Sequence, residues 1–264
     1  MPEIVLPSQA RLHFVDLNPT AQPVVLLIHG LGANSDSWQL QFPSLLENGF
    51  RVLAVDLPGF GKSSYSGEWK SVGSIAKTII ETLAFLDIDS VFAVGLSMGG
   101  PVCLQLALDF PDRVSRLVLV NTFAHLNVAS PENFLYFLAR VVLIYTLGMQ
   151  AQAQAVSQRV FPRPDQAILR AELVKQVLAS NPKAYRSAML ALGKLNLMER
   201  LSEIQQPTLV ITGEQDTTVP PKNQTAMAQR IPSARQVMLP NTGHAASVEN
   251  PELFNTVLLD FLKE

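Results

Sequence analysis

Val24 to Ile28 is an unbroken run of branched apolar residues that stops at His29-Gly30, and Arg51 to Val55 is a second that stops at Asp56. Ser90 to Val94 and Arg116 to Val120 repeat the pattern. Runs that are continuous, rather than alternating with polar residues, suit strands covered on both faces, as in a parallel sheet. Segments of helical character fill the intervals at Val72 to Leu86 and Gly99 to Phe110. The β-α-β-α alternation predicts an open, doubly wound α/β sheet. His13 falls in a further strand-like stretch near the N-terminus.

The alternation breaks after Asn121. From about Ser130 to Leu201 the pattern is almost wholly helical, punctuated by Pro131, Pro162, Pro164 and Pro182. Strand-like sequence returns at Thr208 to Thr212 and Gln236 to Leu239, and an amphipathic helix follows from Pro251 to Leu262. The expected organisation is a sheet core over residues 1–124 and 202–264, interrupted by a helical cap over residues 125–201. The longest apolar stretch, Phe134 to Leu147, is too short to span a bilayer and carries Arg140 in its middle. It is expected to be a helix packed against the rest of the protein, with a lid that touches lipid or a lipophilic substrate as the alternative.

Composition narrows the classes of function. The 264 residues are 48% hydrophobic and 16% charged, with a formal net charge of −2, which offers no global attraction for nucleic acid or an anionic membrane. The N-terminal residues lack a basic stretch followed by an apolar run, so no signal peptide and a cytoplasmic location are expected. Cys103 is the one cysteine and is read as a small buried hydrophobe. Charge is unevenly spread: Ser130 to Arg200 holds nine basic and four acidic residues, a net +5 on a chain of −2. A basic cap of this kind would suit an acidic carrier protein as partner, although scattered helix-surface charge is the simpler account.

The candidate chemistry centres on Gly95-Leu96-Ser97-Met98-Gly99, a G-x-S-x-G pattern between the strand-like Val91 to Val94 and the helix-like Pro101 to Phe110. A strand that turns at once into a helix strains the backbone at the serine and holds its Oγ outward above the sheet. Side chains at the two flanking glycines would collide in so tight a turn. The backbone N–H of Met98 then faces any oxyanion formed at Ser97. A serine at its ordinary pKa needs a base, and the base needs an orienting partner.

Four histidines are available. His244, in Asn241-Thr242-Gly243-His244, follows the last strand. Loops at the carboxyl ends of parallel strands gather on one sheet edge, where Ser97 also lies. His244 is therefore the expected base, with His125 as the fallback. Asp216 follows the strand ending at Thr212 and is the expected acid. Glu214, two residues away, competes with it, and Asp56 reads as part of a tight structural turn. A second oxyanion donor is expected from the glycine-rich turn His29-Gly30-Leu31-Gly32, at the Leu31 N–H. Phe123, His125, Phe134 and Phe137 are candidates for a substrate pocket over Ser97. No cluster has metal-ligand spacing, and no phosphate-binding loop is present, so neither metal nor cofactor is expected.

These segments, together with Asp56-Leu57-Pro58-Gly59-Phe60-Gly61-Lys62-Ser63 and Gly213 to Pro220, resemble in order the signatures of the α/β-hydrolase superfamily. The resemblance runs from residue 24 to the C-terminus and leaves the cap unread. It implies an α/β-hydrolase fold, an eight-stranded, mostly parallel central sheet with an inserted helical cap. It also implies hydrolysis through an acyl-enzyme, with a small-molecule ester as substrate. Ser97 departs from the aspartate nucleophile of haloalkane dehalogenases and epoxide hydrolases. Leu31 departs from the three-glycine loop of another lipase and esterase group. Carbon–carbon bond hydrolases, enol-lactonases, carrier-protein methyl ester esterases and hydrolase-fold ligand receptors share much of the pattern and stand as alternatives to a carboxylesterase.

Overall fold

The computed structural model describes residues 3–5, 9, 11–126 and 131–264, with the side chains of 131–134 and 136 outside that description. Its centre is an eight-stranded sheet. Three strands on one side are β1 (Glu3–Val5), β2 (Arg11–Leu17) and β4 (Arg51–Val55), with β3 (Val24–Ile28) next to them. The series continues through β5 (Val91–Leu96), β6 (Val114–Val120), β7 (Thr208–Gly213) and β8 (Ala234–Leu239). The spatial order is β1-β2-β4-β3-β5-β6-β7-β8. Pairings from β4 onward are parallel, whereas β1–β2 and β2–β4 are antiparallel.

The continuous apolar runs feed two cores, one on each face of the sheet. Leu26, Ile28, Leu53 and Val55 point to one, where α2 (Val72–Phe85) and α3 (Gly99–Asp109) pack. Val25, Leu27, Val52 and Ala54 point to the other, beside α1 (Phe42–Glu47) and the C-terminal helix. Every residue of β3 and β4 is buried, which is the burial that a strand covered on both sides requires. Trp38 is a packing residue at 0% exposure, and Cys103 is equally enclosed, its thiol pushed far up by burial.

Between β6 and β7 the chain leaves the sheet for α4 (Pro131–Thr146), α5 (Gly148–Val160), α6 (Ala167–Ala179) and α7 (Pro182–Gly193). The excursion departs and returns at one place: His125 bridges Asn196, and Leu197 N–H donates to the Ala124 carbonyl at 3.0 Å. The inserted helices are seated on two core loops. Asn181 N–H donates to the Gly59 carbonyl at 2.7 Å, and the Val177 and Tyr185 side chains press on Gly32. After β7 come α8 (Pro221–Ala228), the short α9 (Ala246–Glu249) and α10 (Pro251–Leu262).

The apolar stretch in α4 packs on the core through Phe137, Val141 and Ile144, while Leu135, Leu138, Val142 and Tyr145, spaced to share the opposite face, are exposed. A helix apolar on every side can cover the protein with just one of them. Five of the insertion's basic residues, Arg140, Arg159, Arg163, Arg170 and Arg200, donate hydrogen bonds within the chain. Among the described residues, no helix is long and apolar enough to cross a membrane.

Candidate active site

The turn between β5 and α3 places Ser97 at the top of the sheet. Its φ of +51° lies in the left-handed region, a conformation that costs a non-glycine residue energy and persists because the surroundings enforce it. Ser97 N–H donates to the Val120 carbonyl at 2.9 Å, and Thr122 Oγ1 donates to the Ser97 carbonyl at 2.5 Å. A side chain at Gly95 would run into the Gly99 backbone, and one at Gly99 into the Ile28 carbonyl. Both glycines are therefore required by close approach, in the way the sequence pattern suggested.

Loops from the ends of β7 and β8 bring two more groups to Ser97. His244 Nε2 lies 3.0 Å from Ser97 Oγ. Its Nδ1 lies 2.9 Å from Asp216 Oδ2 and 3.1 Å from Oδ1. Since an ionised carboxylate only accepts, this pair fixes the proton on Nδ1 and leaves Nε2 to accept from the serine hydroxyl. All three residues were singled out in the sequence.

The surroundings of Asp216 were not foreseen. The Thr218 and Val219 N–H groups donate to Oδ1 at 2.8 and 2.9 Å. Asn121 Nδ2 and Gln224 Nε2 donate to Oδ2 at 3.0 and 3.1 Å. Burial by itself would raise the Asp216 carboxyl, but His244 and these donors outweigh it and hold it below the ordinary carboxylate value. Asn121 follows β6 directly, so the strand-end reasoning that found Asp216 would also have found it. Gln224 sits one turn into α8 and carried no sequence signal.

The competing residues are engaged elsewhere. Glu214 is exposed and accepts from Asn241 N–H at 3.4 Å. Asp56 is buried under the loops before it and after it: it accepts from His13 Nδ1 at 2.9 Å, Ser35 N–H at 2.7 Å and Lys62 N–H at 2.8 Å. Burial opposes its ionisation, yet the Lys62 and Ser35 donors leave its carboxyl below the usual range. His125 donates from Nδ1 to the Leu195 carbonyl at 2.8 Å, at the root of the insertion.

A cavity of about 540 Å³ opens over Ser97, between the sheet edge and the inserted helices. Leu31, Met98, Phe123, His125, Phe137 and Val219 line it, mostly with apolar surface, and Arg140 and Arg159 reach its wall. The Phe134 side chain lies outside the described residues. Neither the Leu31 nor the Met98 N–H has a hydrogen-bond acceptor among the described residues. Among those residues there is also no group of three or more histidine, cysteine or acidic side chains placed to hold a metal.

Residues 23–251 match the family model described as alpha/beta hydrolase fold. The chain is 34% identical over 257 residues to a protein named putative carbamate hydrolase RutD from Variovorax paradoxus (strain S110), covering 95% of this chain and 96% of that one. The solved enol-lactonase from Burkholderia xenovorans LB400 superposes with a TM-score of 0.91 at 28% identity, over 100% of both chains. A thermophilic esterase from Thermogutta terrifontis gives a TM-score of 0.87 at 26% identity, over 99% of this chain and 97% of that one. Matched along most of its length by sequence and throughout by structure, the chain belongs to the α/β hydrolase fold family.

Proposed function

We propose that the protein is a serine hydrolase that cleaves a small carboxylic ester through an acyl-enzyme. The observation that carries this reading is the line of contacts from Asp216 through His244 to Ser97 Oγ, opening on an apolar cavity. Ser97 Oγ attacks the ester carbonyl carbon while His244 Nε2 takes the serine proton. Asp216 holds the imidazole in the required tautomer and stabilises its charged form. The Leu31 and Met98 N–H groups, which have no acceptor among the described residues, stabilise the oxyanion. His244 then gives its proton to the departing alcohol. Water, deprotonated by His244, attacks the acyl-enzyme, and the acid leaves with Ser97 restored.

A second reading is hydrolysis of a carbamate or a lactone. It is supported by the relative named a carbamate hydrolase and by the enol-lactonase that matches this chain from end to end. Each of these substrates presents an acyl carbon to the same serine and differs in the group that leaves.

The test is covalent labelling by a fluorophosphonate, followed by turnover of p-nitrophenyl esters of increasing acyl length beside an enol-lactone and a carbamate. The proposal expects labelling that Ser97→Ala abolishes, and turnover of esters. Labelling that survives Ser97→Ala overturns the serine assignment. Turnover confined to the lactone or the carbamate replaces the ester reading with the second one.

A further inference from the structure

Glu249 is the last residue of α9, and its side chain is 1% exposed. A carboxylate so enclosed must be satisfied by hydrogen-bond donors. Its donors form an unusual set. Oε2 accepts from the Gly243 N–H at 3.2 Å, and Oε1 accepts from the Ala245 N–H at 3.0 Å. These are the backbone groups on either side of His244, so one carboxylate grips the chain before and after that histidine.

The remaining donors come from the inserted segment. Gln166 Nε2 donates to Oε2 at 2.7 Å, and Arg163 Nη2 approaches the same oxygen at 3.7 Å. Both residues lie at the short turn Pro164–Gln166 that joins α5 to α6. Arg163 Nη1 also donates to the Asn241 carbonyl at 3.1 Å, in the loop leading to His244. Gly243 packs closely on this carboxylate: a Cβ on it would lie 2.9 Å from Glu249 Oε1.

We infer that Glu249 is a positioning residue that sets the aim of His244 at Ser97, and that Gln166 and Arg163 of the inserted helices complete its binding. The inference rests on the functional reading above. Proton transfer needs the His244 ring at hydrogen-bond reach of Ser97, and a rotation of the 243–245 backbone would move that ring directly. An amide at position 249 has one accepting end and one donating end. It would hold one of the two N–H groups and oppose the other. Seating of the inserted helices and alignment of the histidine are thereby one event, joined through a single carboxylate.

The experiment compares wild type, Glu249→Gln and Gln166→Ala for kcat and KM on a p-nitrophenyl ester, rate of fluorophosphonate labelling, and melting temperature. Glu249→Gln is expected to lower kcat and the labelling rate together by about 10- to 100-fold, the cost of a misaimed catalytic group, with KM changed by less than about twofold. Gln166→Ala, in the turn between α5 and α6 rather than on the histidine loop, is expected to lower kcat by about threefold at constant KM. If Glu249→Gln does not fold, Gln166→Ala carries the test alone. A lower melting temperature with wild-type kcat and labelling in the folded variants overturns the inference and leaves the functional reading intact. A wild type that neither labels nor turns over any acyl substrate overturns that reading, and this inference with it.

Discussion

The Nε2 atom of His29 accepts the backbone N–H of Leu57 at 3.0 Å. Its Nδ1 donates to the Gly30 carbonyl at 2.8 Å, so the neutral ring is satisfied at both nitrogens and a second proton could enter only by displacing the Leu57 N–H. Burial holds the His29 pKa below its ordinary value of 6.5, against the opposing pull of the Gly30 carbonyl and the Asp56 charge. The unfolded chain takes up this proton near the ordinary value while the folded chain does not. Folding stability is therefore lost as pH falls below about 6.5. Urea midpoints measured from pH 8 to pH 5 should be level at first and then fall, by up to about 1.4 kcal/mol per pH unit for one proton. His29→Asn should be less stable at pH 8 and show a smaller fall. An equal fall in both proteins removes His29 as its source.

Asn121 should be intolerant of a charge. Its amide donates to Asp216 Oδ2 and also to the Gly243 carbonyl at 3.1 Å, which ties the ends of β6, β7 and β8 together. Asn121→Asp sets a second carboxyl against Asp216 and removes the donor. In the wild type the depressed Asp216 pKa contributes stability that is present above its unfolded value near 3.8 and is lost as pH falls through the folded value. In Asn121→Asp the pair binds a proton at higher pH, so the deficit against wild type should be largest at neutral pH and shrink in acid. About 1–3 kcal/mol is expected at pH 7, from denaturant midpoints, with a parallel loss of ester turnover. Equal midpoints at pH 7 would show that the amide is dispensable.

Two glycines should respond in opposite directions to alanine. At Gly99 a Cβ meets the Ile28 carbonyl, in a strand at the middle of the sheet that cannot give way. A loss of about 1–3 kcal/mol is expected, or several degrees in melting temperature. At Gly73, inside α2, the nearest atom to a Cβ is Ser71 Oγ at 3.6 Å, an ordinary contact. Gly73→Ala should gain about 0.5–1 kcal/mol, because alanine loses less backbone freedom in a helix. Calorimetry of the two variants reads both signs, and a stabilising Gly99→Ala would contradict the packing at the Ser97 turn.

The sheet was legible because β3, β4, β7 and the second half of β6, from Leu117 to Val120, are buried on both sides, and such burial writes an apolar run into the sequence. The antiparallel pair at the N-terminal edge was harder: β1 has three residues, two of them exposed, and His13 on β2 is a buried polar residue paired with Asp56. The strand-end rule led to Ser97, Asp216 and His244, since each follows a recognisable run. It gave no access to Gln224 or Glu249, which stand on helices rather than at strand ends. The helical insertion was visible as a break in alternation, but its contacts were not. Nothing in Val177 or Tyr185 marks them as residues that press on Gly32.

The interruption between β6 and β7 makes the molecule divisible in an unequal way. Ser97, Asp216 and His244 themselves stand on strand-end loops of the core, while most of the cavity's roof comes from one continuous excursion that begins and ends at Ala124 and Leu197. Such a roof can be exchanged as a cassette through a single narrow stem, and selectivity can change without redesign of the chemistry beneath it. The exchange is not free, however. An incoming roof must present a donor where Gln166 meets Glu249 and leave room for Gly32 and Gly59, so the scaffold accepts only those replacements that know where its histidine loop is.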